Sequence, residues 1–282
     1  MRALSSVALP GAVSLSGTVR RALSTASIGW SSSITFATLG TAITTLVLVP
    51  GLNVLFTVLL GADLAANDTV RIGCATALIA TLSSVAAGIV ARVATDRWIG
   101  VFEYVCTARP VDAGYWLGAA AVPALLASVT GLSNVGIVWL LSLTAPSTGA
   151  VSGLLLGTLA LMPVAVLGGV CLGIFAAGLG LYLSDPYTGS NFLAIILPVS
   201  AGVIVPVSTY PAWLAWLCSW VPGSRLVQAL DTSGSIASST TPNLFALLAT
   251  DAALAVLYAV VGLGLTYLAA RRIRAGARAS LL

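Results

Sequence analysis

Residues 149–183 read GAVSGLLLGTLALMPVAVLGGVCLGIFAAGLGLYL, a run without one charged side chain. A helix needs ~20 predominantly apolar residues to cross the hydrocarbon core of a bilayer, so this run is long enough for a span. Working outward from it, further apolar segments lie near 33–61, 70–93, 114–142, 190–209 and 244–270. The 282-residue chain is 59% hydrophobic and 7% charged, whereas soluble domains carry about 25% charged residues. Too little polar material remains to cover a water-facing surface. The expectation is an all-α integral membrane protein with six transmembrane helices across 31–270. An N-terminal interfacial segment over 1–30 precedes them and a basic cytoplasmic tail over 271–282 follows.

The region 210–230 is also apolar, but Pro211 and Pro222 interrupt it. It is too short and too broken for a seventh span, so a re-entrant element shielded by protein is expected there. Within 1–30, Leu15, Val19, Ala22 and Leu23 recur at helical spacing beside Arg20 and Arg21. That pattern fits an amphipathic helix lying on the inner membrane surface.

The net charge of +4 comes from twelve arginines against eight acids; there is no lysine and no histidine. With abundant Ala and Gly, this is the composition of a high-GC bacterial genome. Without histidine there is no Ser-His-Asp triad and no imidazole relay. Without lysine there is no Gly-x-x-x-x-Gly-Lys phosphate loop, so no ATP chemistry of that kind and no cofactor is expected in this chain. Cys74, Cys106, Cys171 and Cys218 are scattered and read as small hydrophobes. The positive-inside rule sets the orientation. With both termini in the cytoplasm, ten arginines fall inside and only Arg71 and Arg225 outside. A bacterial plasma membrane is the expected location, with the lipid bilayer and not nucleic acid as the partner of this positive charge.

The inner connector after the second span reads Asp96-Arg97-Trp98-Ile99-Gly100-Val101-Phe102-Glu103-Tyr104-Val105, then Ala108-Arg109-Pro110. Trp98, Val101, Phe102 and Val105 form an apolar face at helical spacing, and Pro110 ends the helix. Periodicity leaves two readings open, a plain interfacial connector or a docking helix. After the fifth segment come Pro206, Pro211 and Pro222, with Trp213, Trp216 and Trp220 at three- to four-residue intervals. Tryptophan prefers the membrane interface, which places this aromatic face at the outer surface.

Both stretches resemble exporter-type (type-2) permeases of ATP-binding cassette transporters. The first resembles the family's Arg-x-x-Gly-Thr-hydrophobic-Glu pattern through Arg97, Gly100, Phe102 and Glu103, with Val101 in place of the polar residue. The second follows the family's order Pro, Pro-x-Trp-Leu, Pro through Pro206, Pro211, Trp213, Leu214 and Pro222. It lacks the terminal arginine, since Asp231 follows Leu230. The resemblance implies a six-helix subunit that pairs with a second permease chain, identical or paralogous, and docks two ATPase subunits that bind ATP and Mg. It makes Arg97, Trp98, Glu103 and Arg109 docking residues, and Pro206, Pro211, Trp213, Trp216, Trp220 and Pro222 parts of an outer gate.

Small residues at four-residue spacing allow close helix approach in lipid. Gly149, Gly153 and Gly157, then Gly169 and Gly173, have that spacing, for packing within the chain or between subunits. Asp251 is the one acid well inside an apolar segment, where an uncompensated charge costs about 2.5–3.5 kcal/mol. Arg225 on the same side is its expected partner. The function expected is therefore the transport subunit of an ATP-driven exporter, not itself an enzyme, moving a lipophilic or amphipathic substrate outward. The alternative is a secondary transporter driven by an ion gradient.

Overall fold

A computed structural model describes residues 15–33, 37–63, 69–108, 111, 113–143, 150–234 and 244–276. Among these every regular element is helical, and five helices are long and apolar enough to cross a membrane. Helix α1 (Leu15–Ser31) comes first. The first span follows as α2 (Leu39–Ile43), a π-helical turn (Thr44–Leu48) and α3 (Val49–Asp63). A reciprocal capping box opens it: Thr41 N–H donates to Thr38 Oγ1, and Thr38 N–H to Thr41 Oγ1. The π turn has a local cause, because Pro50 has no N–H with which to continue the i→i−4 ladder.

Helix α4 (Thr69–Trp98) is the axis of the bundle, with 67% of its apolar stretch buried, against 17% for the first span and 11% for the last. Against it pack α6 (Ala113–Ser142), α7 (Ala150–Gly180) and the first span, while α11 (Leu244–Arg274) packs on the far side of α7, and α5 (Val101–Ala108) connects α4 to α6 on one end. Glycines set the spacing. A Cβ on Gly169 would meet the Leu82 carbonyl at 2.6 Å, and one on Gly173 would meet Ile89 at 2.9 Å and Ala86 Cα at 3.0 Å. These two glycines thus bring α7 onto α4 within the chain. Gly178 and Gly262 meet backbone to backbone where α7 crosses α11. Gly153 and Gly157 lie half-buried near the start of α7, and Gly149 lies outside the described residues.

Three sequence expectations change. The segment 190–209 is not one continuous span: α8 (Thr188–Ser200) has 13 residues, about 20 Å at 1.5 Å per residue. It ends at a turn through Gly202, whose φ of 68° favours glycine. A single 3₁₀ turn (Val207–Thr209), α9 (Ala212–Cys218) and α10 (Ser224–Gly234) follow. Second, α1 packs along α6 through small residues: Gly118 lies under Ala22 and Thr25, and Gly29 meets Val122. Val19 and Leu23, expected on the same face as Ala22, point away and are exposed. Third, the connector is broken at Gly100, where φ is 74°. Trp98 therefore belongs to α4 and not to the α5 face, which buries Phe102 and Cys106 while Trp98 and Val101 are exposed.

Candidate functional site

At one end of the bundle, α5 is anchored by Phe102 and Cys106, both fully buried, against α4 and the end of α11. Burial pushes the Cys106 thiol up to about 11. The opposite side of this connector presents Trp98 (66% exposed), Ile99 (65%) and Tyr104 (75%). The edge is held from beneath, not loose. Arg97 turns inward: its Nη1 donates to the carbonyls of Gly180 and Leu183, at 2.8 and 2.9 Å. A cation there suits the negative end of α7 and ties the turn that follows it to the end of α4. Trp98 stacks edge-to-face on Tyr187 at 5.5 Å. Glu103 is half-buried, and Arg109 lies outside the described residues.

A cavity of about 820 Å³ opens between α1, the first span, α4 and α6. Its wall is mostly apolar, and its far end includes Ala80, Asn53 and Thr130. Its near end is built from Thr95, Ile99 and Val101, so the exposed connector also forms the cavity rim. Charge enters at one place. Arg92 Nη2 lies 3.4 Å from Asp96 Oδ1, Arg92 Nη1 donates to Ser32 Oγ at 3.1 Å, and Tyr115 O–H donates to Asp96 Oδ2 at 3.0 Å. The sequence reading used Arg92 only to set orientation and Asp96 only as a connector residue. Their spacing of i, i+4 on one helix face was the available signal. The third member, Tyr115, comes from another helix and could be found only in three dimensions.

At the opposite end, the segment after α8 returns into the bundle. Arg71, near the start of α4, donates from Nη2 to the Gly202 carbonyl and from Nη1 to that of Val203. Trp220, beyond α9, meets α11 where the Tyr258 O–H donates to its carbonyl. Tyr258 stands 14 residues past Leu244, about 21 Å along the helix. Gly223 then lies beside Asp251, about 10 Å along α11, and α10 climbs back to Arg71. There Asp231 accepts from Nε and Nη2 at 2.6 and 2.8 Å, a bidentate pair. Pro206 and Pro211 precede the 3₁₀ turn and α9, and Pro222 precedes Gly223, whose φ is 97°. Trp213, Trp216 and Trp220 are exposed, the last two in edge-to-face contact at 6.0 Å.

The ion pair expected between Asp251 and Arg225 does not close to salt-bridge distance, although the Arg225 charge and backbone N–H both act on the carboxylate. The Asp251 carboxylate accepts the Gly223 N–H at 2.9 Å, and Arg225 Nη1 is buried without a hydrogen-bond partner. The physical reason is the helix start: α10 begins at Ser224, and the free N–H groups and positive end of a helix dipole take a carboxylate as readily as a side-chain cation does. Asp251 is an N-cap supplied from a neighbouring helix. Compared with known proteins, the chain matches no family model and no curated sequence.

Proposed function

We propose that the chain is the membrane-spanning subunit of an ATP-driven exporter of the type-2 ATP-binding cassette kind. It crosses a bacterial plasma membrane six times, with both termini in the cytoplasm. One observation carries the reading: Ile99 and Val101 line the cavity, in the same connector that exposes Trp98 and Tyr104 on an anchored base. A partner pressing on that edge would move the cavity rim directly, which is the linkage a pump with separate ATPase subunits requires. On this reading α8 and the turn after it complete the fifth crossing. The α9–α10 hairpin is re-entrant from outside, with α10 packed on α7, α11 and α4 and the turn at 222–224 buried, as lipid demands of irregular backbone. The exposed apolar faces of the first and last spans meet lipid or a second permease chain.

The test is purification from the native membrane with and without Trp98→Ala plus Tyr104→Ala. Both residues are exposed, so the double variant should fold normally while losing its ATPase partner and nucleotide-dependent flux. A purified complex without any ATPase subunit would sink the proposal, as would coupling untouched by this variant and by changes at Arg97 and Glu103.

A specific observation also favours a second reading, an ion-gradient transporter. Arg92, Asp96 and Tyr115 form an ionisable cluster within candidate spans, Arg92 and Asp96 line the cavity, and such groups mark ion and proton pathways. Flux that follows an imposed ion gradient without nucleotide would select it.

A further inference from the structure

The cavity has the build of a ligand site for one chemical class. Its volume of about 820 Å³ lies within the range of small-molecule pockets, which are mainly apolar with a few convergent polar groups. It is also long. The α4 residues lining it run from Ala80 to Asp96, about 24 Å at 1.5 Å per residue, so an extended apolar body fits better than a compact one. The wall from the first span contains the π-helical turn Thr44–Leu48, through Thr45 and Leu46, and such turns recur at functional sites.

The charge available to an occupant is that of Arg92. The Asp96 side chain is 4% exposed, with Oδ2 taken by Tyr115 and Oδ1 turned to Arg92; the Arg92 side chain is 18% exposed. Arg92 also retains unspent donors. Nε is buried without a partner and so adds nothing for an occupant, whereas Nη1 uses one hydrogen on Ser32 and Nη2 stands 3.4 Å from Asp96, a loose contact. A guanidinium with free N–H groups matches the oxygens of a carboxylate or phosphate in a forked geometry. Arg92 lies six residues before Trp98, the end of α4, about 9 Å from that end.

We propose that this cavity binds an amphiphile with an anionic head, carboxylate or phosphate, held by Arg92, with its apolar chain lying along α4 between the first span and α6. That this occupant is the transported cargo rests on the exporter reading; that it binds does not. The occupant is either a resident anionic lipid or a free amphiphile, and the two share the chemistry that Arg92 reads.

The experiment uses the full-length chain in phosphatidylcholine nanodiscs, with 11-(dansylamino)undecanoate as the fluorescent probe and its methyl ester as the neutral match. Empty nanodiscs correct for partition into lipid. The acid should bind saturably and at least tenfold more tightly than the ester. Arg92→Gln should abolish that preference, and Arg92→Lys should keep part of it. Ser84→Phe fills the cavity wall two turns from Arg92 without touching any charge, and should weaken the acid at least tenfold even if Arg92→Gln fails to fold. Equal binding of acid and ester to the native chain would overturn the proposal, and so would an unchanged affinity in Ser84→Phe. Replacing part of the phosphatidylcholine by phosphatidylglycerol distinguishes the sources: competition identifies a lipid headgroup, and its absence a free amphiphile, both upholding the site. No ATPase is present in this assay. Loss of the acid preference therefore defeats the site alone, while absence of an ATPase partner defeats the exporter reading alone.

Discussion

The Arg71–Asp231 pair should hold the α9–α10 hairpin to the bundle, and its contribution can be worked from its contacts. Arg71 makes two charged hydrogen bonds to Asp231, at 2.6 and 2.8 Å, and two to the Val203 and Gly202 carbonyls, at 3.2 and 3.4 Å. A hydrogen bond to a charged group contributes about 1.5–3 kcal/mol. The Asp231 side chain is 37% exposed, so water screens the pair and its coupling falls to about 2 kcal/mol. Arg71→Gln should cost more than Asp231→Asn, because it also strips partners from two carbonyls, adding about 1–2 kcal/mol. The expected losses are thus about 3–4 kcal/mol for Arg71→Gln and about 2 kcal/mol for Asp231→Asn. The double variant should lose little beyond Arg71→Gln alone. Reversible unfolding in mixed micelles, followed by tryptophan fluorescence, gives all three values and closes the double-mutant cycle. Equal losses from the two single variants, or a coupling below about 0.5 kcal/mol, would show that the hairpin is held by packing and not by this latch.

Asp251→Asn keeps an oxygen for the Gly223 N–H and should cost about 1 kcal/mol, whereas Asp251→Leu leaves that buried donor unpaired and should cost about 2–3 kcal/mol in the same unfolding assay. Gly262→Ala would drive a Cβ to within 2.5 Å of the Phe175 backbone, while at Gly264 a Cβ meets nothing within 4 Å. The first should therefore destabilise by about 1–3 kcal/mol or more, and the second should be neutral or stabilise by up to about 1 kcal/mol. Similar melting points for the two would argue against the α7–α11 crossing. Because burial raises the Cys106 thiol from 9.0 to about 11, the folded state holds that proton more tightly than the unfolded state. This stabilisation is complete below pH 9 and is lost as pH rises through 11. About 2–3 kcal/mol should disappear across that window. A Cys106→Ala chain should lack that part of the alkaline decline, and an identical decline in both chains would contradict the assignment.

Sequence alone determined the class of this protein and the position of most of its helices. A run such as 149–183 has no charged side chain, and a chain with 7% charge has no surface to spare, so composition dictates the solvent before any contact forms. The breakpoints at Pro211 and Pro222 were equally legible, since a missing donor acts locally, whereas the break at Gly100 was hidden by an apolar spacing that runs straight across it. Gly169 and Gly173 were legible as small residues, but only the packing selected α4 as what they touch. Partners were decided by tertiary structure throughout. Asp251 has a cation of suitable sign nearby in the chain, yet the end of α10 reached it first. Arg97, expected at a docking surface, spends its donors on the carbonyls at the end of α7. Arg71 looked like a stray outer charge until Asp231, 160 residues away, folded against it. The cavity at Arg92 belongs to the same category. Its walls come from helices distant in sequence, and a void leaves no mark on any one of them. Hydrophobic periodicity is written residue by residue, but which polar groups find each other depends on which helix ends meet.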